Sequence, residues 1–259
     1  MTGGKLKIDI RRKRIMEQLR LEGKVSVTDL SQWLQVTPVT VRNDLAVLEQ
    51  EGQLLRIQGG AVQLPGAEAF SAAQTISDVR GREKRAIAQM AARLVKDGET
   101  LFINSGTTTE FVAEALSTKR NLNVVTNSLA VAKKLGAVAS IRVLLIGGEI
   151  NAQYGFTHGG DAQEQLNRYQ ADWAILSVDG VSAQSGITTY HAQEAVIDRM
   201  MLRSAKHAMI VADHTKIGRT GFTRVCDCAP NTCLVTDGGS PEAISALAEL
   251  GVRIVHPTV

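Results

Sequence analysis

Residues 105–109 of the sequence are well suited to bind an anion. They belong to the segment INSGTTTEF, residues 103–111, which leaves a predicted strand, passes through small and hydroxyl-bearing residues, and enters a predicted helix. Free amide protons at a helix N-terminus, with hydroxyl groups beside them, bind anions such as phosphate without the help of a lysine. Ordinary helix capping by Ser105 or a neighbouring threonine accounts for the same residues, so the segment alone leaves both interpretations open.

Polar residues and glycines also follow other predicted strands in this half of the chain. Ligands of parallel α/β sheets bind outside the carboxyl ends of the strands, so their recurrence there predicts one small-molecule site. Any one of them alone is more often a turn or cap residue. Glu194 has the least support, because a polar residue at a helix start usually faces solvent. The remaining members are Asn127, Ser128, Gly147, Gly148, Asp179, Gly180, Asp213 and Lys216.

Seven apolar runs supply the strands that would position these residues. They alternate with amphipathic stretches, the pattern of a mainly parallel sheet covered by helices, and this predicts one α/β domain over residues 80–259. The predicted strands are 100–103, 122–126, 141–146, 173–178, 208–213, 232–236 and 252–255, and the predicted helices include 108–116, 128–135, 192–205 and 241–250.

A second set of candidate residues lies on a helix predicted from Thr37 to Gln50. Thr37 is a favourable N-cap, and Pro38 suits the first helical position, where no amide proton is needed. The apolar residues at positions 41, 45 and 48 recur at helical spacing and form its buried stripe. The residues turned toward solvent are then Val39, Thr40, Arg42, Asn43 and Ala46.

Two helices precede this one and a β-hairpin follows it. The first is predicted at about residues 9–22, and the second is capped by Ser26 or Thr28, with Trp33 packed on a neighbouring element. Two short strands after the third helix join at Gly59-Gly60, whose permissive backbone suits a tight turn. Three helices and a hairpin predict a winged helix-turn-helix over residues 1–64.

The third helix of such a domain enters the major groove of DNA. In that position Arg42 can pair with guanine or contact phosphate, Asn43 can read adenine, and Thr37 and Thr40 can hold the DNA backbone. The hairpin would bring Arg56 and the Gly59-Gly60 tip to flanking phosphates or the minor groove. A small helical domain whose polar residues face water is the alternative interpretation.

The net charge of +3 is concentrated at the N-terminal end of the chain. Residues 1–64 contain 10 lysines and arginines against 7 acidic residues, whereas residues 65–259 contain 19 of each. Such asymmetry suits an anionic partner such as DNA, although a solvated basic helix start explains it as well. The basic cluster consists of Lys5, Lys7, Arg11, Arg12, Lys13 and Arg14, opposed only by Asp9.

The linker, the lack of a long apolar run and the cysteines narrow the class of protein further. Residues 65–79 are rich in small residues and predict a linker that begins with Pro65 and Gly66. No run of about 18 apolar residues occurs and the N-terminal residues are charged, so we expect a cytoplasmic protein with no membrane partner. Cys226, Cys228 and Cys233 lack zinc-module spacing; we expect reduced, partly buried thiols, no bound metal and no cofactor.

The segment VTPVTVRNDLAVLEQEGQLLRIQGGA resembles the N-terminal signature of the DeoR-type family of sugar-metabolism repressors. The motifs SGTTT, VVTNSL, LLIGG, the pair Asp179-Gly180 with GITT and Glu194 behind it, and ADHTKIG recur in that order in the family's C-terminal domain. The resemblance covers nearly the whole chain. It implies a C-terminal domain similar in fold to ribose-5-phosphate isomerase, and a repressor of a carbohydrate-utilisation operon whose effector is a phosphorylated sugar or a related metabolite.

The resemblance also assigns roles to residues of this sequence. Ser105 to Thr109 would hold the phosphate, Asn127 and Asp179 would meet the sugar hydroxyls, and Lys216 would complete the charge balance. The family commonly has a second arginine at Asn43, aspartate at Asn104, and serine at His214 and Thr215. The expected effector-binding set is Asn104, Ser105, Gly106, Thr107, Thr108, Thr109, Asn127, Ser128, Gly148, Asp179, Gly180, Glu194 and Lys216.

Two alternatives to a ligand-controlled repressor remain at this stage. The first is a sugar-phosphate isomerase or hydrolase fused to a DNA-binding-like domain, in which Asp179, Glu194 and Lys216 supply acid, base and electrostatic stabilisation. The second is a DNA-binding protein whose α/β half serves only assembly. The intact SGTTT segment argues against the second, and fold analogy alone does not support catalysis, so we expect no catalytic residues. We expect a homodimer or homotetramer, because dimers match palindromic half-sites.

Overall fold

A computed structural model describes residues 8–50, 54–57, 59–63, 80–152 and 154–257. The chain divides into two compact units, unit 1 at Met1–Ile76 and unit 2 at Ser77–Val259. The predicted linker at 65–79, with Pro65 and Gly66, lies outside the described residues, as do Lys5 and Lys7. The predicted domain limits at residues 64 and 80 therefore stay predictions.

Unit 1 contains three helices and a small antiparallel sheet. Its strands lie in the order β1-β3-β2, and eleven buried apolar side chains from all three helices and all three strands form its core. This is the predicted winged helix-turn-helix. Its elements are α1 (Ile8–Glu22), β1 (Lys24–Ser26), α2 (Val27–Leu34), α3 (Pro38–Gln50), β2 (Leu54–Ile57) and β3 (Gly60–Gln63).

The helix boundaries of unit 1 follow from local chemistry. The Ser26 side chain accepts the amide proton of Asp29 at 3.0 Å and caps α2, and the Thr37 hydroxyl accepts that of Thr40 at 3.2 Å and caps α3. The prediction that Trp33 packs on a neighbouring element is wrong, because its side chain is 51% exposed. The buried positions of α2 are 27, 30 and 34, which turn position 33 away from the core.

The two glycines of the hairpin have different roles. Gly59 adopts φ +83°, the left-handed conformation that the turn requires. Gly60 was expected to share that turn, but it lies within β3, where a Cβ would stand 1.9 Å from the carbonyl oxygen of Val25. The cause is β1, a three-residue strand too short to predict from its sequence, which pairs with β3 along this stretch.

Unit 2 is built on a seven-stranded sheet in which every neighbouring pair is parallel. The seven strands predicted from the sequence are the seven strands of this sheet. In chain order the elements are α4 (Gly81–Leu94), β4 (Thr100–Ile103), α5 (Thr107–Leu116), β5 (Asn123–Thr126), α6 (Leu129–Gly136), β6 (Arg142–Leu145), β7 (Glu149–Asn151), β8 (Phe156–His158), α7 (Gly160–Leu166), β9 (Ala171–Ser177), β10 (Gly180–Ser182), β11 (Gly186–Thr189), α8 (Ala192–Arg203), β12 (Ala205–Val211), a 3-10 turn (His214–Lys216), β13 (Thr223–Cys226), β14 (Thr232–Val235), α9 (Pro241–Glu249) and β15 (Arg253–Val255).

Helices cover both faces of the sheet. Leu101 and Ile103 of β4 pack in one hydrophobic cluster with residues of α4, α5 and α6, while Phe102 packs in a second cluster with residues of α7, α8 and α9. Alternate residues of one strand thus serve two cores, as in other α/β folds. The predicted α/β class is confirmed.

The strand order, β15-β14-β12-β9-β4-β5-β6, places a switch of direction between β4 and β9. From β4 the chain moves through β5 to the edge strand β6, then returns to β9 on the other side of β4 and moves outward to β15. Parallel sheets bind ligands in the crevice at such a switch point. The loops after β4 and β9 therefore define where a ligand is expected.

Several elements of unit 2 were not predicted. Helix α4 begins directly after the predicted linker, and the short strands β7, β8, β10, β11 and β13 form two small antiparallel sheets outside the main one. None of the helices in the described ranges combines the length and apolar character that a membrane span needs.

Candidate functional site

The predicted DNA-contacting side chains of α3 lie on its exposed face. Arg42 and Asn43 are exposed, Val39 is 60% exposed and Thr40 is half-buried, whereas Val41 and Leu45 are fully buried. The Oγ1 atoms of Thr37 and Thr40 lie 2.9 Å apart, so the two hydroxyls form a hydrogen bond to each other at the helix N-terminus. The first two turns of α3 therefore present an apolar residue, an arginine and an asparagine on one exposed face.

A buried carboxylate holds α3 to α1. Asp44 is 3% exposed, and both oxygens accept hydrogen bonds from the Arg11 guanidinium, while Arg12 donates to Oδ1 at 3.3 Å. The hydrogen bond that Arg11 donates to Asp44 raises the pKa of Arg11. Two residues of the predicted basic cluster thus pair inside unit 1, and within the described part of that cluster Lys13 and Arg14 are the exposed cations.

The hairpin of unit 1 carries the remaining predicted contacts. The Arg56 side chain is exposed on β2, and its backbone amide donates to Glu49 Oε1 at 3.2 Å, which fastens the hairpin to the end of α3. Gly59 is exposed at the turn. These residues belong to the wing next to the third helix, as the sequence predicted.

In unit 2, Asn104 bridges the switch point of the sheet. Its amide nitrogen donates to the carbonyl of Ser177 at 2.9 Å and to Asp198 Oδ1 at 3.0 Å, and its oxygen accepts the Ser177 amide proton at 2.9 Å. Asn104 is fully buried. Its side chain therefore joins the ends of β4 and β9 and touches α8, and it supports the loop above it.

The loop after Asn104 approaches β9 closely. A Cβ at Gly106 would stand 2.6 Å from the Ser177 Cβ, so only glycine fits. Thr109 Oγ1 donates to the carbonyls of Asn104 and Gly106 at 3.0 and 2.9 Å and braces the loop from below. Ser105 Oγ donates to the carbonyl of Tyr154 at 3.1 Å.

Helix α5 begins at Thr107 directly above this braced loop. Thr107 is half-buried and Thr108 is 4% exposed. The first amides of a ten-residue helix point out of its N-terminus and carry its partial positive charge. This geometry suits the binding of an anion, and Gly106 lets the loop lie close to β9. We call residues 105–109 the anion cradle.

The ends of β5 and β6 supply the next predicted members. Asn127 is fully buried and donates from Nδ2 to the carbonyl of Thr157 at 3.2 Å. Ser128 is buried and accepts the amide proton of Val131, so it caps α6. Gly148, after the edge strand β6, lies so close to the carbonyl of His158 that a Cβ would stand 2.3 Å from it. The last two thus have evident structural roles.

Asp179, Glu194 and Lys216 come together beyond the end of β9. Asp179 Oδ1 accepts a hydrogen bond from Lys216 Nζ at 3.0 Å, and its Oδ2 accepts the amide proton of Tyr190 at 2.9 Å. The Thr189 hydroxyl lies 2.7 Å from Glu194 Oε2 and 3.3 Å from Asp179 Oδ2, linking the two carboxylates. Gly180 leaves no room for a side chain, because a Cβ would stand 2.5 Å from the carbonyl oxygen of Arg219.

Glu194 is 8% exposed, although a polar residue at a helix start usually faces solvent. Burial raises its pKa to about 7, a hydrogen bond from Thr189 opposes the rise, and the charge of Asp179 adds to it. One helical turn later, burial and the charge of Glu194 raise the pKa of Asp198 well above its ordinary value. Among the described residues, Asp198 Oδ2 and Asn127 Oδ1 are buried side-chain atoms with no hydrogen-bond partner.

A buried lysine of α4, Lys84, contributes a further positive charge near the candidate site, and the sequence analysis missed it. Burial lowers the pKa of Lys84, whose charge interacts with Asp213, Lys216, Arg80 and Glu110. Glu110 lies in the first turn of α5, so the charge of Lys84 acts both on the start of that helix and on Asp213 after β12. The pattern GREKRAIAQMAARL, with apolar positions at helical spacing, was the available sequence feature.

Asp213 is predicted at a strand end and lies there buried. Burial alone would raise its pKa, but hydrogen bonds from Thr215 and the charges of Arg80 and Lys216 bring it below its ordinary value. His214 Nδ1 lies 2.7 Å from Asp237 Oδ2, and its backbone amide donates to Asp237 Oδ1 at the same distance. His214 and Thr215, both departures from the family pattern, thus shape the turn that carries Lys216.

Comparisons with known proteins find two family models and several relatives that match this chain. The model of the DeoR-like helix-turn-helix domain matches residues 11–64, and that of the DeoR C terminal sensor domain matches residues 80–238. The glycerol-3-phosphate regulon repressor of Escherichia coli (strain K12) is 31% identical over 89% of this chain and 91% of that protein. The HTH-type transcriptional repressor GlcR of Bacillus subtilis (strain 168) is 31% identical over 86% of each chain.

Solved structures similar to this chain include ribose 5-phosphate isomerase A from Neisseria gonorrhoeae. It is 19% identical, covers 55% of this chain and 54% of its own, and superposes with a TM-score of 0.40. The two relatives from Escherichia coli and Bacillus subtilis are both repressors.

Proposed function

Because the chain belongs to the DeoR family of DNA-binding transcriptional repressors of sugar and metabolic regulons, we propose that it represses a carbohydrate-utilisation operon under the control of a phosphorylated sugar or related metabolite. Residues 1–64 bind double-stranded operator DNA, residues 65–79 link the domains, and residues 80–259 bind the effector and mediate oligomerisation. As a repressor it acts where its operator lies, in the cytoplasm.

The exposed face of α3 supports the DNA-binding role. Arg42 reads a guanine or contacts phosphate, Asn43 reads a base edge, and Val39 makes an apolar contact in the major groove. Thr37 and Thr40 bind the DNA backbone near the start of the helix. Arg56 and Gly59 contact phosphates or the minor groove beside the recognition helix.

The observation that carries the effector proposal is the pairing of an anion cradle with a carboxylate cluster across one switch point. Residues 105–109 form the cradle after β4, and Asp179, Glu194 and Lys216 meet after β9. A phosphate is recognised by amides and cations, and hydroxyl groups are recognised by carboxylates and amides. A sugar phosphate carries both kinds of group in one small molecule.

Within this site the phosphate occupies the N-terminus of α5, near the charge of Lys84. Asn127 and Asp179 accept hydrogen bonds from sugar hydroxyls. Lys216 balances Asp179. Asn104, Thr109, Ser128, Gly148 and Gly180 act mainly by holding the loops that carry the contacting groups.

Effector and operator are linked thermodynamically in this proposal. If the effector binds one arrangement of the protein more tightly than the other, and only one arrangement fits the operator, effector binding changes operator affinity by the same coupling free energy. We propose that the protein acts as a homodimer or homotetramer, since paired recognition helices match paired half-sites.

The first experiment is a thermal-shift screen of the full-length protein against matched phosphorylated and unphosphorylated sugars. A ligand that binds only the folded state raises the apparent melting temperature. We expect a rise with at least one phosphorylated sugar and none with its unphosphorylated counterpart. The same ligand must then alter operator affinity in a fluorescence-anisotropy titration; unchanged affinity at saturating ligand contradicts the coupling.

A further inference from the structure

Four rings from three loops form a continuous row on unit 2. The ring centroids of Tyr154 and His191 lie 4.3 Å apart, those of His191 and Tyr190 lie 6.0 Å apart, and those of Tyr190 and Phe222 lie 6.4 Å apart. We call these four residues the aromatic row. Tyr154 is 38% exposed, Tyr190 63% and Phe222 82%, so three of the four rings are open to solvent.

Backbone and side-chain hydrogen bonds tie the aromatic row to the candidate effector site. The amide of Tyr190 donates to Asp179 Oδ2 at 2.9 Å, and Ser105 Oγ donates to the carbonyl of Tyr154 at 3.1 Å. Gly221, the residue before Phe222, donates its amide proton to Thr188 Oγ1 at 2.7 Å. Each loop of the row is therefore fixed to Ser105, to Asp179, or to strand β11, whose Thr189 hydroxyl contacts both Asp179 and Glu194.

Large aromatic side chains left in solvent beside a polar site indicate a binding surface. Small-molecule sites combine apolar and aromatic walls with a few polar groups that fix orientation. A cyclic sugar has the same division, because its hydroxyl groups project from the ring edge whereas its C–H groups form an apolar face. The carboxylates of Asp179 and Glu194 suit the edge, and the exposed rings suit the face.

We propose that the aromatic row binds the ring face of the effector, so that the effector is a sugar phosphate in cyclic form and not a short acyclic phosphate. Tyr190 and Phe222 determine this specificity. The inference rests on the proposed effector site and goes further, because the anion cradle alone accepts any phosphate monoester of suitable size. An acyclic three-carbon phosphate has no ring face to cover these side chains.

Isothermal titration calorimetry of the full-length protein with defined probes tests the inference. The cyclic probes are glucose 6-phosphate, galactose 6-phosphate, fructose 6-phosphate and ribose 5-phosphate; the acyclic probes are glycerol 3-phosphate and inorganic phosphate. We expect at least one cyclic probe to bind more tightly than glycerol 3-phosphate. Tyr190→Ala and Phe222→Ala should each lower the affinity for that probe about three- to tenfold, as loss of one aromatic contact implies. Neither should change the affinity for inorganic phosphate.

Matched variants separate loss of the ring from other effects. Tyr190→Phe keeps the ring and should recover the affinity that Tyr190→Ala loses. Leu250→Ala removes another exposed apolar side chain, 40% exposed after α9, and should leave every probe unchanged. All three substituted positions are exposed, so the variants should fold.

Three results overturn the inference. The first is wild-type affinity for glycerol 3-phosphate equal to or above that for every cyclic probe, which leaves the phosphate-controlled repressor intact. The second is an unchanged cyclic-probe affinity in Tyr190→Ala and Phe222→Ala; if sedimentation then shows a smaller oligomer, the row is a subunit interface. The third, no binding of any phosphorylated probe, overturns the proposed function as well.

Discussion

In unit 1 the proposed contact residues, apart from the half-buried Thr40, are exposed and come from one helix and one hairpin. In unit 2 most are buried or half-buried and come from loops after several strands. Arg42 and Asn43 are neighbours in the chain, while Asn104 and Asp198 are 94 residues apart and share a hydrogen bond. DNA is a large surface that a rigid helix can meet from outside. A small metabolite must be enclosed, so its contacts have to converge from distant parts of the chain.

Each unit also buries carboxyl groups, with opposite consequences. In unit 1 the Asp44 carboxylate receives hydrogen bonds from two arginines and holds two helices together. In unit 2 burial raises the pKa values of Glu194 and Asp198, and the charge of Asp179 adds to both, as does that of Glu194 on Asp198. A buried acid that is paired with cations stabilises the fold in its charged form. Buried acids that lie close together are costly to ionise, and protonation or a bound ligand lowers that cost.

The largest effect is expected at the paired carboxylate. Asp44→Ala removes the buried carboxylate that accepts hydrogen bonds from Arg11 and Arg12, and should destabilise unit 1 by about 3–5 kcal/mol. Calorimetry of the full chain should show one transition moving down while effector binding to unit 2 persists at low temperature. Asp29→Ala, which removes an exposed carboxylate bonded to Ser26, should cost under about 1 kcal/mol. Equal effects of the two variants would contradict the role given to the buried pair.

The crowded carboxylates should make stability fall as pH rises. Below pH 4.5 Glu194 is protonated in both the folded and the unfolded chain; between 4.5 and about 7 the unfolded chain releases its proton first, so folding weakens. Above about pH 7 the penalty is on the order of 3 kcal/mol. Glu194→Gln should therefore raise the melting temperature at pH 8 more than at pH 5, unlike the exposed Glu242→Gln. A Glu194→Gln variant that parallels wild type across this range would disprove the assignment.

Arg42→Ala tests whether the exposed surface acts on DNA alone. Loss of a bidentate contact to a base costs about 1–3 kcal/mol, so affinity for an operator selected from random duplexes should fall roughly 5- to 150-fold. Fluorescence anisotropy measures that loss, and the affinity of the variant for the effector should equal that of the wild type. The exposed Arg203→Ala of unit 2 is the charge-matched control. A simultaneous loss of effector binding in Arg42→Ala would mean that the two units are not functionally separate.

The smallest effect is expected at the anion cradle, where a substitution should affect effector binding and leave DNA binding unchanged. Thr107→Val removes one hydroxyl from the start of α5 and should weaken a phosphorylated effector by about 1 kcal/mol, several-fold in affinity, with operator affinity retained. Thr118→Val, an exposed threonine just beyond the other end of that helix, is the control. Effector affinity that survives Thr107→Val undiminished would move the phosphate away from this helix terminus.

Much of unit 1 was accessible from sequence because its structure is local. The cap at Thr37 and the stripe at positions 41, 45 and 48 predict both the helix and its exposed face, and both are observed. What failed was non-local: β1 has only three residues, and its pairing with β3 moved Gly60 from the turn into a strand. Likewise Lys84 was overlooked, because its place near Glu110 and Lys216 depends on how α4 packs.

By itself, the sequence determined the seven strands, the winged helix-turn-helix and the α/β class, since each depends on periodicity, capping or a contiguous motif. It also supplied the proposal of an anion cradle after β4. Only the tertiary structure decided which carboxyl groups meet, that Glu194 is buried with a raised pKa, that Asn104 bridges β4 and β9, and that four rings line up beside Asp179. The physical reason is that burial and electrostatic coupling are set by distances between residues far apart in the chain. Those distances follow from the strand order, which no local pattern encodes.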